Sequence, residues 1–328
     1  MGLKVGIIGA GHMGKVHARV LTEDERVSLT GIVDTKKEAR EALAAEFKTK
    51  AFASLDDLVG EGVDAIYINT PNTTHTEHTL QVLKENIHIF CEKPMATSLQ
   101  DAKKILKLLE SKNIVYQVGH NRRFAPVYKF AKSLIQNGKF IPYSAHVKMN
   151  RGELKNPPWV SDANITGGFL YESTIHLLDM VRWLLGEVKK VECIGKKSVY
   201  NEIDDFALIL TFTSGRIATF FSSAHASWIF PFERIELFGE HSAIITEEIE
   251  KVTFSGLEGE IITRDYSQYP ELVKSGYVEE DRLFIDAVLK ERKPAVSAWE
   301  GYKSVELVEA CYRSIEKKQR IDLPLYMD

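Results

Sequence analysis

The chain has 328 residues, 44% of them hydrophobic and 27% charged, a composition typical of globular proteins and a length that predicts two domains. Its formal net charge is −4 with basic residues scattered along it, so we expect no nucleic-acid partner, and no apolar run approaches the ~20 residues of a membrane span, so we expect no membrane partner. Its three cysteines lack CxxC spacing, which argues against a metal knuckle or a disulfide framework and favours a reducing compartment, the cytoplasm.

Strand-like and helix-like segments alternate over residues 1–120. The predicted strands are the β-rich runs Lys4–Ile8, Leu29–Val33, Ala65–Asn69, Ile87–Phe90 and Val115–Val118. The predicted helices are Met13–Leu21, Lys36–Phe47, His75–Lys84 and Leu99–Leu109, each of the last three behind a serine or threonine cap. Such alternation predicts a parallel sheet covered by helices on both faces.

The pattern changes after Gly119. One helix is predicted at Pro126–Gln136, and the strands predicted after it are Phe140–Met149, Val188–Ile194, Asp205–Thr213, Arg216–Ser223 and Phe232–Phe238. The turn Thr213–Gly215 predicts a hairpin within an open, largely antiparallel sheet. Two amphipathic helices, about Glu279–Leu289 and Trp299–Glu316, end the chain. We therefore expect an α/β protein with a first domain over residues 1–120 and a second domain over residues 121–328, whose last helices could pack back on the first domain.

A glycine-rich segment, Gly9–Gly14, follows the first predicted strand and opens the first helix. In such a GxGxxG turn the first glycine allows a tight bend, the second lets a pyrophosphate approach the backbone, and the third lets helix and strand pack closely. Asp34 ends the second predicted strand, where a carboxylate can accept ribose hydroxyl hydrogens and repel a 2′-phosphate. The predicted cofactor contacts in this region are Gly9, Gly11, His12, Met13, Gly14 and Asp34.

NAD is the favoured cofactor, although NADP is possible. Three basic residues near Asp34 could pair with a phosphate instead of forming an exposed helix face: Lys36, Lys37 and Arg40.

Three further segments contain polar or charged residues that are candidates for ligand binding or catalysis. Asn69–His75 and Cys91–Pro94 follow the third and fourth predicted strands, at the sheet edge where α/β proteins bind ligands. In the third segment, Gly167 and Gly168 precede a predicted helix on which Glu172 and His176 are four residues apart and share a face. Metal binding is an alternative interpretation of that pair, but no third ligand is evident, so we expect no metal.

These motifs together resemble the Gfo/Idh/MocA oxidoreductase family over nearly the whole chain. The resemblance rests on Gly9–Gly14, Thr70-Pro71-Asn72 with His75, Glu92-Lys93-Pro94, and Gly167-Gly168 with Glu172, His176 and Asp179. It implies a Rossmann domain followed by an open α/β domain, with the active site between them. It also implies a homodimer or homotetramer that packs through the second sheet.

The resemblance also implies residue roles. Lys93 and His176 would be the catalytic pair, with Glu172 beside them, and the bond before Pro94 would be cis. Glu92 would lie by the nicotinamide ribose. The remaining residues implied to contact the cofactor are Thr70, Pro71, Asn72, His75, Lys93, Asn121 and Arg122. Inositol dehydrogenases have Asp where this chain has Glu172, so substrate orientation could differ from theirs.

The implied reaction is oxidation of an alcohol, which removes a hydroxyl proton along with the hydride. His176 suits a general base near neutral pH, with Lys93 stabilising the alkoxide; alternatively, Lys93 is itself the base. The residues expected to contact a sugar or polyol are Lys93, Asn150, Arg151, Trp159, Glu172 and His176, with His225 as a further candidate. Two other functions stay open: an NAD-dependent glycosidase acting by transient oxidation, and a non-enzymatic nucleotide or sugar sensor.

Overall fold

The computed structural model describes residues 2–151, 158–227 and 232–325. The chain divides into two compact units. The first comprises Met1–His120 and Tyr277–Tyr302, and the second Asn121–Gly276 and Lys303–Asp328. Within the described residues no helix has the length and apolar character needed to cross a bilayer.

A six-stranded sheet forms the centre of the first unit. Its strands are β1 (Leu3–Ile8), β2 (Val27–Val33), β3 (Lys50–Phe52), β4 (Ala65–Ile68), β5 (His88–Glu92) and β6 (Tyr116–Gly119). The order is β3-β2-β1-β4-β5-β6 and every pair is parallel. The middle strands are almost fully buried, as expected for strands covered on both faces. The predicted parallel sheet is confirmed.

Helices connect these strands. They are α1 (His12–Thr22), α2 (Lys37–Glu46), α3 (Leu55–Gly60), α4 (His75–Lys84) and α5 (Leu99–Leu109). The predicted cap of α5 is confirmed, since the Ser98 hydroxyl accepts from the Asp101 amide at 3.1 Å. The cap predicted for α2 at Thr35 is wrong. Lys36 occupies that position without a side-chain bond, and its amide donates instead to Asp34 at 2.8 Å.

A nine-stranded sheet forms the second unit. Its strands are β7 (Ser144–Asn150), β8 (Val188–Lys196), β9 (Asp205–Phe212), β10 (Ile217–Ser223), β11 (Glu233–Gly239), β12 (Ser242–Glu247), β13 (Lys251–Ser255), β14 (Ile261–Asp265) and β15 (Ile321–Asp322). The order is β14-β13-β12-β11-β7-β10-β9-β8-β15, and only the β7–β10 pair is parallel among these strands. The largely antiparallel sheet and the β9–β10 hairpin are confirmed.

Further helices follow β6 along the chain. They are α6 (Pro126–Gln136), α7 (Ala163–Thr166), α8 (Ile175–Leu185), α9 (Glu271–Lys274), α10 (Tyr277–Leu289) and α11 (Ala298–Lys317). The helix predicted directly after the Gly167-Gly168 pair differs from expectation, because a π-helical turn, Leu170–Thr174, comes before α8. Helix α10 packs on α1 within the first unit.

One face of the nine-stranded sheet is exposed over β8, β9 and β10 within the described residues, and it includes several apolar side chains. Along β9 buried and exposed residues alternate, which is the pattern of a sheet with one packed face. On the uncovered side, Ile194 is 69% exposed, Ile209 54%, Ile217 55% and Phe221 42%. Cross-strand pairing places these four side chains on the same side of β8, β9 and β10, and we call this surface the open sheet face.

Candidate functional site

The turn between β1 and α1 has the shape that its glycines predict. Gly9 has φ +100°, and a Cβ there would lie 2.5 Å from the Asn69 carbonyl oxygen. A Cβ at Gly14 would lie 2.0 Å from the Gly9 carbonyl oxygen, so strand and helix approach too closely for any side chain. A Cβ at Gly11 would meet nothing within 4 Å. The backbone at the start of α1 is therefore open on this side, which fits a pyrophosphate group.

Asp34 links this turn to the end of β2. Its carboxylate accepts from the Ala10 amide at 2.8 Å and from the Lys36 amide at 2.8 Å. The side chain is thus held at the edge of the sheet beside the glycine turn. Arg40 donates to the Asp34 carbonyl at 3.0 Å, so its guanidinium also lies close to this corner. His12 and Met13 begin α1 there, with His12 exposed and Met13 half-buried.

Asn69, at the end of β4, has a buried amide side chain. It is 7% exposed, and neither its Nδ2 nor its Oδ1 has a hydrogen-bond partner among the described residues. Its carbonyl lies against Gly9. A buried polar group without a partner is costly, so its position beside the glycine turn fits a ligand that completes its hydrogen bonds. Together with the open backbone at Gly11, this unmet hydrogen-bonding capacity fits a bound dinucleotide.

His75 joins the two strand-end segments that the sequence singles out. Its Nδ1 lies 2.7 Å from the Pro94 carbonyl and its Nε2 lies 2.8 Å from the Thr70 carbonyl. Burial lowers the pKa of His75, although the two carbonyl contacts oppose that shift. His75 therefore ties the loop after β4 to the loop after β5. Pro71 is exposed and Asn72 buried in the short 3-10 turn before α4.

Glu92, the last residue of β5, lies in a buried charged cluster. One of its oxygens lies 3.0 Å from His17 Nε2, and the other accepts from the Lys93 amide at 3.2 Å. His17 Nδ1 lies 2.9 Å from both oxygens of Asp281, on α10. Burial opposes ionisation of Glu92, but His17 and then Lys93 outweigh it and hold the pKa of Glu92 below its usual value.

Lys93 follows Glu92 and is half-buried. The Lys93–Pro94 peptide bond is cis, as the family resemblance implies. Lys93 belongs to the first unit and His176 to the second. The convergence of these two side chains on one substrate stays a prediction.

The residues around His176 are positioned from within the second unit. The π-helical turn contains Glu172, which is half-buried, and α8 then places His176 in its first turn, 7% exposed. Thr174 bonds the Ser222 hydroxyl at 2.8 Å, and Ser222 donates to the Met149 carbonyl at 2.9 Å. The turn is thereby fastened to β10 and β7 immediately before His176.

Asp179, which the resemblance groups with His176, belongs to a buried ion network. It accepts two bonds of 2.7 Å from Arg123 and one of 2.9 Å from Ser304. Arg182 lies 3.5 Å away. These contacts hold α8 in place and give Asp179 a structural role.

Asn121 and Arg122, implied to contact the cofactor, have protein partners within the second unit. Asn121 donates to the Ser275 carbonyl at 2.8 Å. Arg122 pairs with buried Glu233, at 2.9 Å from Nη2, and Tyr128 donates to the same carboxylate at 2.7 Å. Their contact with a cofactor stays a prediction.

The expected substrate residues of the second unit occupy strand ends and loops. Asn150 ends β7, and its Oδ1 is buried without a hydrogen-bond partner among the described residues. Arg151 follows, with its guanidinium 4.8 Å from the Phe232 ring centroid. Trp159 is 47% exposed. Each of these side chains stays a candidate for substrate contact.

His225 is the further substrate candidate, and its surroundings include two carboxylates. Its Nε2 lies 3.0 Å from both oxygens of Asp205. The ligand atoms of Asp204, Asp205 and His225 lie within 4.8 Å of one another. Three backbone amides of the preceding loop, from Ser198 to Tyr200, already donate to Asp204, so this cluster has a structural explanation.

Sequence analysis assigns no individual role to two residues of the first unit. Asn69 is the first residue of the Asn69–His75 segment, but the sequence points to the segment as a ligand site and not to Asn69 itself. His17 lies in the middle of α1 on the buried face, six residues beyond Gly11. A charged or polar residue on an otherwise apolar helix face is the one signal that points to His17.

Comparisons with known proteins agree with this description. The Gfo/Idh/MocA model described as "Oxidoreductase family, NAD-binding Rossmann fold" matches residues 3–120, and the model for the "C-terminal alpha/beta domain" matches residues 132–323. Myo-inositol 2-dehydrogenase of Thermotoga maritima is 29% identical over 98% of both chains. 2,7-Anhydro-N-acetylneuraminate hydratase of Escherichia coli is 32% identical over 69% of this chain and 63% of that protein. A solved levoglucosan dehydrogenase with NADH and levoglucosan has a TM-score of 0.92 at 20% identity, covering 99% of this chain and 100% of that chain, a likeness of fold.

Proposed function

Because the chain belongs to the Gfo/Idh/MocA oxidoreductase family and has its NAD-binding domain, we propose that it transfers a hydride between NAD and a carbinol carbon of a sugar, inositol or related polyol. The proposal rests on the glycine turn between β1 and α1, at the carboxyl edge of the six-stranded sheet. There the open backbone at Gly11, the held carboxylate of Asp34 and the unpaired amide of Asn69 surround one turn. The full-length likeness to a myo-inositol 2-dehydrogenase supports a polyol as substrate.

The first unit binds and orients the cofactor in this proposal. A bound NAD would supply the hydride acceptor. The amides at the start of α1 would take its pyrophosphate, and Asp34 would take the hydroxyls of its adenine ribose. Glu92 would lie by the nicotinamide ribose. NADP stays possible because Arg40 lies at the same corner as Asp34.

Proton transfer and charge stabilisation would fall to Lys93 and His176. An imidazole titrates near neutral pH, so His176 can accept the hydroxyl proton. An ammonium at Lys93 can stabilise the alkoxide that develops as the proton leaves. Glu172 would orient the substrate or His176 by hydrogen bonding. In the alternative, Lys93 is the base.

A substrate panel tests the proposal. Inositols, aldoses and sugar phosphates are assayed with NAD and with NADP, and reduced nicotinamide is followed by its absorbance. We expect turnover with at least one polyol, and a loss of about a hundredfold or more in kcat for Lys93→Met and for His176→Ala. Lys104→Met, an exposed lysine of α5, is the matched control and keeps the wild-type rate.

The same assay decides against the proposal in two ways. Failure of every substrate to reduce the cofactor contradicts the hydride transfer. Near-native turnover in His176→Ala contradicts the assignment of His176 as the base, and the pH profile of Lys93→Met then tests the lysine alternative.

A second candidate is a reaction without net oxidation, for which a bound NAD would supply a hydride acceptor and then a hydride donor within one turnover. The likeness to a protein named as a hydratase favours it, because hydration leaves the oxidation state of a substrate unchanged. Product that forms while reduced nicotinamide stays constant would identify this reaction.

A further inference from the structure

His17 is buried between two carboxylates of the first unit. It is 0% exposed, and so is Asp281, while Glu92 is 5% exposed. Nδ1 of the imidazole faces Asp281 at 2.9 Å, and Nε2 faces Glu92 at 3.0 Å. Both ring nitrogens therefore point at carboxylate oxygens, and a ring that carries only one proton can donate to only one of them.

The surroundings of His17 favour the doubly protonated ring. Burial opposes its charge, but Asp281 and then Glu92 outweigh burial and raise the pKa of His17 to about 10. The other ionisable neighbours are Tyr67 on β4, whose pKa burial raises far above its usual value, and Tyr277 on α10, whose ring lies 5.9 Å from that of His17. Burial raises the pKa of Asp281, although His17 opposes that shift, whereas His17 helps to hold the pKa of Glu92 below its usual value.

Aromatic rings fix the position of the imidazole. Tyr67 lies 5.2 Å and Phe90 5.0 Å from it, measured between ring centroids. These rings limit access of water to the two carboxylate contacts. A hydrogen bond between charged groups in such a site is short and directional.

Glu92 has little freedom to adopt another orientation. One oxygen contacts His17 and the other accepts from the Lys93 amide. Gly119 on the neighbouring strand leaves room for this carboxylate, since a Cβ there would lie 2.9 Å from Glu92 Oε1. The direction of the carboxylate at the end of β5 is set by its contacts with His17 and with the backbone of Lys93.

We propose that His17 is a positioning residue whose positive charge keeps Glu92 ionised and aimed at the nicotinamide ribose. The proposal rests on the proposed function, which places Glu92 by that ribose. His17 itself touches neither cofactor nor substrate, and it acts through Glu92. Asp281 serves as the second anchor that holds the imidazole ring in its plane and supplies part of its charge stabilisation.

Two substitutions distinguish the contacts made by the two ring nitrogens of His17. In His17→Gln the amide nitrogen can replace Nε2 and still donate to Glu92, whereas in His17→Asn it can replace Nδ1 and reach only Asp281. NADH binding, measured by the fluorescence of the nucleotide, should weaken about tenfold or more in His17→Asn and distinctly less in His17→Gln. His88→Asn is the matched control: Nδ1 of His88 accepts from the Val115 amide at 2.9 Å in the same unit, an Asn side-chain oxygen can accept in its place, and NADH affinity should stay unchanged.

A double-mutant cycle with Glu92→Gln tests whether His17 affects NADH binding through Glu92. If His17 acts through Glu92, His17→Asn adds nothing to the loss already caused by Glu92→Gln. Equal losses in the Asn and Gln variants, or fully additive losses in the cycle, overturn the proposal. Wild-type protein that binds neither NADH nor NADPH contradicts the proposed function instead, so the two failures are distinguishable.

NMR of the ring nitrogens of His17 in the wild-type protein tests the proposal without a variant, and so does not depend on a variant's folding. The His17 ring should show two protonated nitrogens at about pH 8, where an ordinary histidine is neutral. A neutral His17 ring at that pH overturns the proposal.

Discussion

The side-chain amide of Asn69 is buried, with only 7% of the residue exposed, and yet it makes no hydrogen bond to the described residues. Its loss should therefore cost binding and spare stability. In Asn69→Leu, a replacement of similar shape, we expect the free energy of unfolding to stay the same or rise by up to about 1 kcal/mol. NADH affinity should fall about fivefold or more, because a hydrogen-bonding group beside the glycine turn is gone. Urea unfolding and nucleotide fluorescence measure the two effects.

A fall in stability with unchanged NADH affinity would contradict this account of Asn69. Such a result would mean that the amide serves the fold of the loop after β4. Asn86→Leu would be a poor control, because Asn86 has a positive φ of 56°. Thr76→Val, in the first turn of α4, is the control, and it should leave the free energy of unfolding and the NADH affinity nearly unchanged.

At the residue scale, sequence reasoning succeeds where one residue type has one physical explanation. Gly9 needs a positive φ and Gly14 needs the absence of a Cβ, so their spacing was enough to predict the turn. His17 was not predictable in the same way. Its role depends on Asp281, 264 positions away along the chain, and spacing carries no information about such a pair.

At the element scale, the conformation of the segment from Gly168 to the π-helical turn depends on its close packing against Tyr312. Gly168 has φ +105°, and a Cβ there would lie 2.5 Å from the Tyr312 hydroxyl. That hydroxyl in turn accepts from the Leu170 amide at 3.4 Å. Gly168 therefore meets both a backbone and a steric requirement immediately before Glu172.

Gly168→Ala should lower the free energy of unfolding by about 2–4 kcal/mol. Gly259→Ala isolates the backbone cost, because Gly259 also has a positive φ, +82°, while a Cβ there meets nothing within 4 Å; it should lose only about 1 kcal/mol. Adding Tyr312→Phe to Gly168→Ala should recover part of the excess. Equal losses at Gly168 and Gly259 in urea unfolding would show that Tyr312 leaves room for a methyl group.

Two long helices were predicted to the residue, whereas several strands were missed. Pro126–Gln136 and Leu99–Leu109 begin and end where the sequence predicts. Strand β3 was missed because it is three residues long and largely exposed. Strands β12 and β13 do alternate in burial, so their period could have revealed them, whereas β14 is an exposed edge strand without such a pattern. The π-helical turn has no distinct sequence signal.

At the scale of the whole molecule, the open sheet face is the feature that bears on assembly. Its four apolar side chains are all more than 40% exposed, and a contiguous exposed apolar surface of this kind marks an interaction site. We therefore expect a homodimer or homotetramer in solution that buries this face.

Light scattering of size-separated protein tests the assembly. Ile209→Lys and Phe221→Lys should lower the measured mass towards that of one chain, because each places a charge in the buried interface. Leu257→Lys is the control, since Leu257 is 61% exposed in the turn between β13 and β14 and lies outside the open sheet face. A monomeric wild-type protein, or an unchanged mass in both face variants, would refute the prediction.

The proposed hydride transfer requires Lys93 of the first unit and His176 of the second to meet at one substrate hydroxyl. A crystal structure of the ternary complex with NADH and a substrate identified from the panel measures this directly. We expect Lys93 Nζ and a ring nitrogen of His176 within hydrogen-bonding distance, about 3 Å, of the same oxygen, with its carbon facing C4 of the nicotinamide. A complex in which the two side chains contact different parts of the ligand, or in which either one lies away from the reacting carbon, would contradict it.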